Sequence, residues 1–270
     1  MPLFRKQPSG ADAPLGDILA ELGIDASRES RGWVAPVGAT QLFLSWIDKG
    51  RVLSGYAPLP DADTPAELRE LLERNLEPRL VWFSRGGTDE GGGLGARFAL
   101  PLEPFDPAAV RLALAALAGA VGDDDLAARA TPASAGEAAE QAAEGDARER
   151  VEAALRRLTT DPRRDVDRDG VWQADVRGRA IDAVLRDTGE SLLLMHQLEY
   201  AAGDEDPEVL RWLLLASDWG SARVGLAPLP GRPGLFAACV VATTGPEPPI
   251  AWALEQLTSL AANYDKRSGG

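Results

Sequence analysis

Two stretches of the chain repeat one order of hydrophobic patterns, and a segment poor in large apolar side chains separates them. Each stretch opens with apolar residues at helical spacing, namely Leu15, Ile18, Leu19 and Leu22 in the first and Val151, Ala154, Leu155 and Leu158 in the second. Gly23 predicts the end of the first helix, and the pair Asp146 and Glu149 predicts an N-terminal cap for the second. Each half therefore begins with a predicted amphipathic helix.

Three strands are predicted after each opening helix, the last two of them joined by a tight turn. The first of these strands carries Trp33 in one half and Trp172 in the other. The next two are predicted at residues 41–47 and 51–57, and again at residues 180–186 and 191–198. The connecting segments, Asp48-Lys49-Gly50 and Asp187-Thr188-Gly189, both begin with an acidic residue and end with glycine, which is typical of hairpin turns of this length.

Proline marks the start of the two remaining helices in each half. Thr64-Pro65-Ala66-Glu67 combines an N-cap, a first-turn proline and the glutamate of a capping box, and Asp206-Pro207 repeats the cap and the proline. Asp106-Pro107 and Pro248-Pro249 open the last helix of each half. Between the middle and last helices, further strands are predicted at residues 79–85 and 94–100, and at residues 219–226 and 235–243.

This recurrence indicates a tandem duplication. Three pairs of residues, Trp33 with Trp172, Trp82 with Trp219 and Leu114 with Leu254, are separated by nearly the same length of chain. The predicted fold is α+β, with two copies of an α-β-β-β-α-β-β-α unit, each a five-stranded antiparallel sheet with helices on one face. The units are predicted at residues 12–122 and 148–266. Residues 123–147, rich in Ala, Glu and Gly, are predicted to be a flexible or partly helical linker.

Composition narrows the classes of function. Apolar residues make up 45% of the chain and charged residues 26%, which is typical of a globular protein. The net charge of −14 disfavours binding to nucleic acids and to anionic membrane surfaces. No apolar stretch reaches the roughly 20 residues that a transmembrane helix needs, and the N-terminal residues do not resemble a secretory signal. We therefore expect a cytoplasmic protein.

Few residues offer catalytic chemistry. His196 is the only histidine, on a predicted strand without a neighbouring nucleophile motif, and is interpreted as an ordinary strand residue. Cys239 lies in an apolar run and is interpreted as a small buried side chain. The glycine-rich segment Gly91–Gly95 precedes a strand pattern instead of a helix, so it predicts a hairpin tip and no phosphate-binding loop. We expect no catalytic residues and no cofactor.

One segment has the opening of a calcium-binding loop. Asp165, Asp167 and Asp169 alternate and are followed by Gly170, as in the first six positions of such a loop. The position that should provide a bidentate glutamate is Val176, so a solvated acidic turn before a strand is favoured and no metal site is predicted. A calcium ion on these three aspartates stays an alternative.

The tryptophans outside the repeated positions have two interpretations. Trp46, Trp212 and Trp252 have no counterpart in the other half. Tryptophan is enriched in the energetically important parts of protein interfaces, so these residues are candidate surface anchors. Burial in the core is the favoured interpretation for each of them.

The order of elements resembles the YbjN family and the related fold of type III secretion chaperones. The resemblance covers both halves and depends on the Gly32-Trp33 strand, the hairpin before the last helix, and Phe105-Asp106-Pro107 followed by Leu114-x-x-Leu117. Pro248-Pro249 followed by Leu254-x-x-Leu257 repeats this ending, although Val171 replaces the glycine before Trp172. The resemblance implies a partner-binding role without catalysis.

We therefore expect a protein-binding module of chaperone-like or regulatory type, whose two units form an intramolecular pseudo-dimer. Its partner would be a protein of unknown identity, and a homo-oligomer is compatible with this expectation. A regulator that responds to calcium or a small ligand is the alternative. An enzyme built on aspartates that folding brings together is a further one.

Overall fold

The computed structural model describes residues 12–29, 32–86, 93–131, 137–165, 170–186, 188–198, 206–218, 220–229, 232–245 and 247–268. In these parts of the chain, seven α-helices accompany two six-stranded antiparallel sheets. The predicted α+β class is thus confirmed. None of the described helices is both long and apolar enough to cross a bilayer.

The described part of the first unit contains nine regular elements. They are α1 (Asp12–Glu21), β1 (Ser27–Glu29), β2 (Gly32–Val37), β3 (Thr40–Ile47), β4 (Val52–Pro58), α2 (Pro65–Arg74), β5 (Trp82–Arg85), β6 (Leu94–Pro101) and α3 (Pro107–Ala120). A single 3-10 turn at Asp48–Gly50 connects β3 to β4. The strands are ordered β1-β2-β3-β4-β6-β5 across the sheet.

The second unit repeats the first after a short helix, α4 (Asp124–Ala130). Its elements are α5 (Glu137–Leu158), β7 (Thr160–Arg164), β8 (Val171–Val176), β9 (Arg179–Leu185), β10 (Ser191–Leu198), α6 (Pro207–Ala216), β11 (Arg223–Leu229), β12 (Arg232–Ala242) and α7 (Ile250–Ser268). The strand order β7-β8-β9-β10-β12-β11 matches that of the first sheet strand for strand. The duplication is therefore present in the topology as well as in the sequence.

Each sheet has one strand more than the five that the sequence predicts. The additional strands, β1 and β7, lie at the outer edge of their sheets and pair with β2 and β8. All three side chains of β1 are exposed, and the pairing of β7 is irregular around Pro162. Because neither strand has an alternating apolar face, the hydrophobic pattern could not identify them.

The predicted helix start at Asp146 is wrong. Helix α5 begins at Glu137 and continues through Asp146 and Glu149, so it joins part of the predicted linker to the second unit. Alanine and glutamate have high helix propensity, which explains why the helix extends beyond its apolar portion. In α4, the Asp123 carboxylate caps the helix through Leu126 N–H and also accepts a hydrogen bond from Gly38 N–H at 2.8 Å.

The proline-led helix starts have the predicted caps. Thr64 and Glu67 form a reciprocal capping box at α2, and hydrogen bonds from Thr64 and Asp63 lower the pKa of Glu67. Asp106 accepts hydrogen bonds from Ala108 and Ala109 at the start of α3. Asp206 does the same through Glu208 N–H at α6. Local sequence therefore determines where these helices begin.

The first and last helices of each unit cover one face of its sheet. Helix α3 packs on β6 and contacts α1, while α7 packs on β10 and β12 and contacts α5. Leu42 and Leu44 of β3 point into this core, whereas Phe43 between them is exposed. The middle helices lie between the units, where α2 packs against α6 and β11, and α6 packs against β5. Each middle helix thus contacts the edge strand of the other unit that faces the junction, which is β5 in the first unit and β11 in the second; these two are called the inner edge strands.

Candidate functional site between the two units

Asn75, the residue that follows α2, connects the two inner edge strands. Its Oδ1 accepts a hydrogen bond from Phe83 N–H at 2.7 Å, and its Nδ2 donates to the carbonyl oxygens of Phe83 and Val224, both at 2.9 Å. Phe83 lies in β5 and Val224 in β11, so one side chain bonds both strands. Asn75 is fully buried, and all of these bonds are shielded from water.

Ser217 occupies the corresponding position after α6. Its Oγ accepts a hydrogen bond from Val224 N–H at 2.9 Å, as Asn75 Oδ1 does from Phe83 N–H. The Ser217 carbonyl oxygen accepts a hydrogen bond from Trp82 Nε1 at 3.1 Å, which crosses from the second unit to the first. The two middle helices therefore end in related but chemically different junctions, and this asymmetry distinguishes the fused pair from a symmetric dimer.

Arg223 is a buried cation at the same junction. The guanidinium donates hydrogen bonds to the carbonyl oxygens of Glu77 at 2.7 Å, Arg79 at 3.0 Å and Val81 at 3.1 Å. Burial lowers the pKa of Arg223 to about 10, against the opposing effects of Cys239 and Glu77, so the side chain is still charged at neutral pH. The second unit thereby fixes the segment that leads into β5 of the first.

Gly225 allows the two units to approach closely. A Cβ atom at this position in β11 would lie 2.6 Å from the side chain of Leu76 and 2.9 Å from the carbonyl oxygen of Leu72. Both distances are well below ordinary contact, so any side chain would displace α2 from β11. The glycine is required by packing between the units and not by its backbone conformation.

A groove of about 360 Å³ lies next to this junction. The first unit contributes the end of β6, the following loop and the start of α3, and the second contributes the end of β12 and the loop before α7. Most lining side chains are apolar, and they include Ala99, Pro101 and Phe105 from the first unit and Val240, Ala242 and Pro249 from the second. Because equivalent segments of the two copies form its walls, the groove exists only when the units are docked.

The rim of the groove is acidic. Asp106 Oδ1 caps α3, and its Oδ2 accepts a hydrogen bond from Thr244 Oγ1 at 2.5 Å, which closes one side across the units. Glu103 and Glu247 also line the groove and are exposed to solvent. The site therefore combines an apolar floor with carboxylates at its edge.

His196 lies on β10 and has a structural environment. Its Nδ1 is 2.9 Å from the Ala180 carbonyl oxygen, which makes Nδ1 the donor. Nε2 then accepts from the Arg179 guanidinium at 3.0 Å, and Arg179 also forms an ion pair with Asp265. Both ring nitrogens are thus used within the protein, in keeping with the interpretation of His196 as a strand residue.

Cys239 is enclosed in the second core. Burial raises the pKa of its thiol to about 12, although the nearby Arg223 acts in the opposite direction, and the Sγ atom lies 3.7 Å from the Ser221 carbonyl oxygen. A buried, protonated thiol is a poor nucleophile, which is consistent with the structural interpretation of this residue. In the glycine-rich segment, Gly91 and Gly92 lie outside the described residues, while Gly93 leads directly into β6.

The calcium hypothesis depends on residues that lie mostly outside the described chain. Asp165 is described, and its backbone N–H donates to the Val171 carbonyl oxygen at 2.9 Å. Asp167 and Asp169 lie outside the described residues. Across the part of the chain that is described, no group of three or more histidine, cysteine or carboxylate side chains could hold a metal ion. The absence of a metal site at Asp165 stays a prediction.

The tryptophans that lack a counterpart are packed against the core. Trp46, Trp212 and Trp252 are all partly buried, and the rings of Trp212 and Tyr264 are 5.6 Å apart. These contacts favour packing over a role as free surface anchors. Trp219 lies outside the described residues and precedes β11, which begins at Arg223 and not at Trp219 as predicted.

Sequence reasoning missed the residues that join the units. Asn75, Arg223 and Gly225 belong to no motif, and each has its role because of a residue more than a hundred positions away. Asp106 and Pro249 were identified, but only as parts of helix starts. Comparison with protein-family models and with curated proteins found no match to this chain.

Proposed function

We propose that this chain is a non-catalytic protein-binding module of chaperone-like or regulatory type, in which two copies of one unit form an intramolecular pseudo-dimer. The observation that carries the proposal is the apolar groove whose walls are equivalent segments of the two copies. Concave apolar surfaces with a few polar groups at the edge are typical of binding sites. Its cytoplasmic location and any homo-oligomer stay predictions.

The chemistry around the groove supports binding over catalysis. The Asp106 carboxylate accepts hydrogen bonds from the α3 backbone and from Thr244. It therefore caps the helix and links the two units, and neither oxygen is left solely for a substrate. Arg223 and Asn75 are fully buried in the junction, and their hydrogen bonds go to main-chain atoms of the two units. These polar residues stabilise the walls of the groove.

Photo-crosslinking at the groove tests the proposal. The photoreactive amino acid p-benzoylphenylalanine would replace Phe105, a partly buried aromatic residue in the groove wall. The control position is Phe43, another aromatic residue, which is exposed on the first sheet and does not line the groove. After irradiation in the source cells, mass spectrometry would identify proteins attached at each position.

Protein adducts that form at position 105 and not at position 43 are the expected result. Equal labelling at both positions would indicate nonspecific contact. Labelling at neither position, or attachment only to small molecules at position 105, would contradict a protein-binding role.

A further inference from the structure

The ends of β6 and β12 that border the groove have a paired strand on one side only. Strand β4 pairs with β6 as far as Pro101, but β5 pairs only with residues 94–97. Likewise β10 pairs with β12 as far as Ala242, whereas β11 pairs with it no further than Ala238. In the described chain, no strand pairs with the other side of residues 99–101 or 240–242.

These one-sided ends coincide with the groove. The residues Ala99 to Pro101 and Val240 to Ala242 all line it. Consecutive residues of a strand point to opposite faces, so a cavity that contacts three in a row touches more than one face of the strand, as a cavity at its unpaired edge does. An unpaired strand edge is a template for an additional extended chain, which gains main-chain hydrogen bonds along the edge and places alternate side chains in pockets.

Charge selects among the extended chains that could fit. Glu103 and Glu247 are exposed at opposite walls of the groove, and the whole chain has a net charge of −14. A segment with acidic flanks would be repelled by this rim, whereas arginine or lysine beside the apolar residues would be attracted. The apolar floor of Ala99, Phe105 and Val240 then suits aliphatic side chains.

From this geometry we infer that the groove binds an extended segment of a partner protein, with alternating aliphatic side chains and a basic residue at each end. The inference rests on the proposed function and specifies the class of its ligand. The partner's main chain pairs with the open ends of β6 or β12, its aliphatic side chains enter the groove, and its basic ends approach Glu103 and Glu247.

Peptide binding to the full chain tests the inference. The probe is a fluorescent peptide of about six residues, the usual length of a strand, with alternating leucine and threonine and an arginine at each end. A second peptide has glutamate at each end, and a third has the arginines but methylated backbone nitrogens, which cannot donate hydrogen bonds. Fluorescence anisotropy gives the Kd of each.

The arginine peptide is expected to bind, and the other two to bind about tenfold more weakly or not at all. The double substitution Glu103→Gln/Glu247→Gln should weaken binding of the arginine peptide about threefold to tenfold and reduce its salt dependence. The matched control, Asp17→Asn/Glu70→Gln, also removes two exposed carboxylates but lies away from the groove and should leave the Kd unchanged. All four positions are exposed, so folding should be preserved.

Several outcomes would overturn the inference while leaving the proposed function intact. They are equal affinity for the arginine and glutamate peptides, no effect of backbone methylation, or no peptide binding despite crosslinks at position 105. Self-association of the chain that competes with the peptides would assign the groove to a second copy instead. Loss of both peptide binding and crosslinking would overturn the inference and the proposed function together.

Discussion

The Arg223 guanidinium donates a hydrogen bond to the Val81 carbonyl oxygen, 3.1 Å away across the junction of the two units. The same guanidinium binds the carbonyl oxygens of Glu77 and Arg79, and its side chain is only 1% exposed. A charged side chain from one copy therefore holds the backbone of the other, although it belongs to no motif of the sequence. Removal of the Arg223 side chain should weaken the docking of the two units more than it disturbs the packing in the core of either unit.

Replacing Arg223 by methionine should lower the free energy of unfolding by about 2–3 kcal/mol, because buried carbonyl oxygens lose their donor. Arg223→Lys keeps the charge, but one ammonium cannot reach all three carbonyl oxygens, so an intermediate loss is expected. Urea denaturation followed by circular dichroism would measure both. A methionine variant as stable as the parent would show that desolvation of the cation costs as much as its hydrogen bonds contribute.

Asn75→Ala should destabilise the protein more than Ser217→Ala, although the two residues occupy corresponding positions. The asparagine change removes the acceptor for Phe83 N–H and the Nδ2 donor to the carbonyl oxygens of Phe83 and Val224, with an expected cost of about 3 kcal/mol. The Val224 carbonyl oxygen then keeps only the longer bond from Ser217 Oγ, at 3.4 Å. The serine change removes mainly the acceptor for Val224 N–H, at about 1 kcal/mol. Equal losses in chemical denaturation would argue against Asn75 as a bridge between the units.

Gly225→Ala should cost about 2 kcal/mol, since the new Cβ would overlap Leu76 and the Leu72 carbonyl oxygen and force α2 away from β11. Gly119→Ala is the matched control, because that glycine lies inside α3 and its added Cβ would have no atom within 4 Å apart from the backbone of its own helix and its chain neighbours. The control should be stabilised by about 0.5–1 kcal/mol through higher helix propensity. Thermal unfolding would show a lower melting temperature for Gly225→Ala and a higher one for Gly119→Ala. An unchanged melting temperature for Gly225→Ala would contradict the close approach of α2 and β11.

The pH dependence of stability should include a contribution from Cys239. Burial raises the pKa of its thiol to about 12 in the folded protein, from 9.0 for an exposed thiol. Because the folded state retains the proton longer, this stabilisation is complete below about pH 9 and is lost as the pH rises toward 12. The loss is about 1.4 kcal/mol per pH unit in that window.

Comparison with Cys239→Ala removes the contributions of titrating groups that do not interact with Cys239, and leaves those of Cys239 and of Arg223, whose pKa Cys239 raises. The difference in unfolding free energy between parent and variant should be constant from pH 7 to about 9 and should shrink by about 1 kcal/mol near pH 10. A difference that does not change with pH would show that the thiolate is accommodated in the folded state.

The elements themselves could be predicted from the sequence to different degrees. Alternation in the runs around Leu42 and Ile181, and helical spacing from Leu15 to Leu22, are produced by burial of one face, so they identify strands and helices directly. The edge strand at Ser27–Glu29 has no buried face, and no pattern could reveal it. The start of α5 was misplaced because a capping pattern is a local signal, which a favourable helical composition on its N-terminal side can override.

The sequence by itself determined the duplication, the α+β unit and the proline-led helix starts, because each follows from interactions between residues close in the chain or from the period of burial. Tertiary structure alone decided how the copies meet. Asn75 with Val224, Arg223 with Val81 and Asp106 with Thr244 are contacts between distant residues, and side-chain chemistry does not specify such partners in advance. The groove between Pro101 and Ala242 is visible only after those contacts bring the two strand ends together.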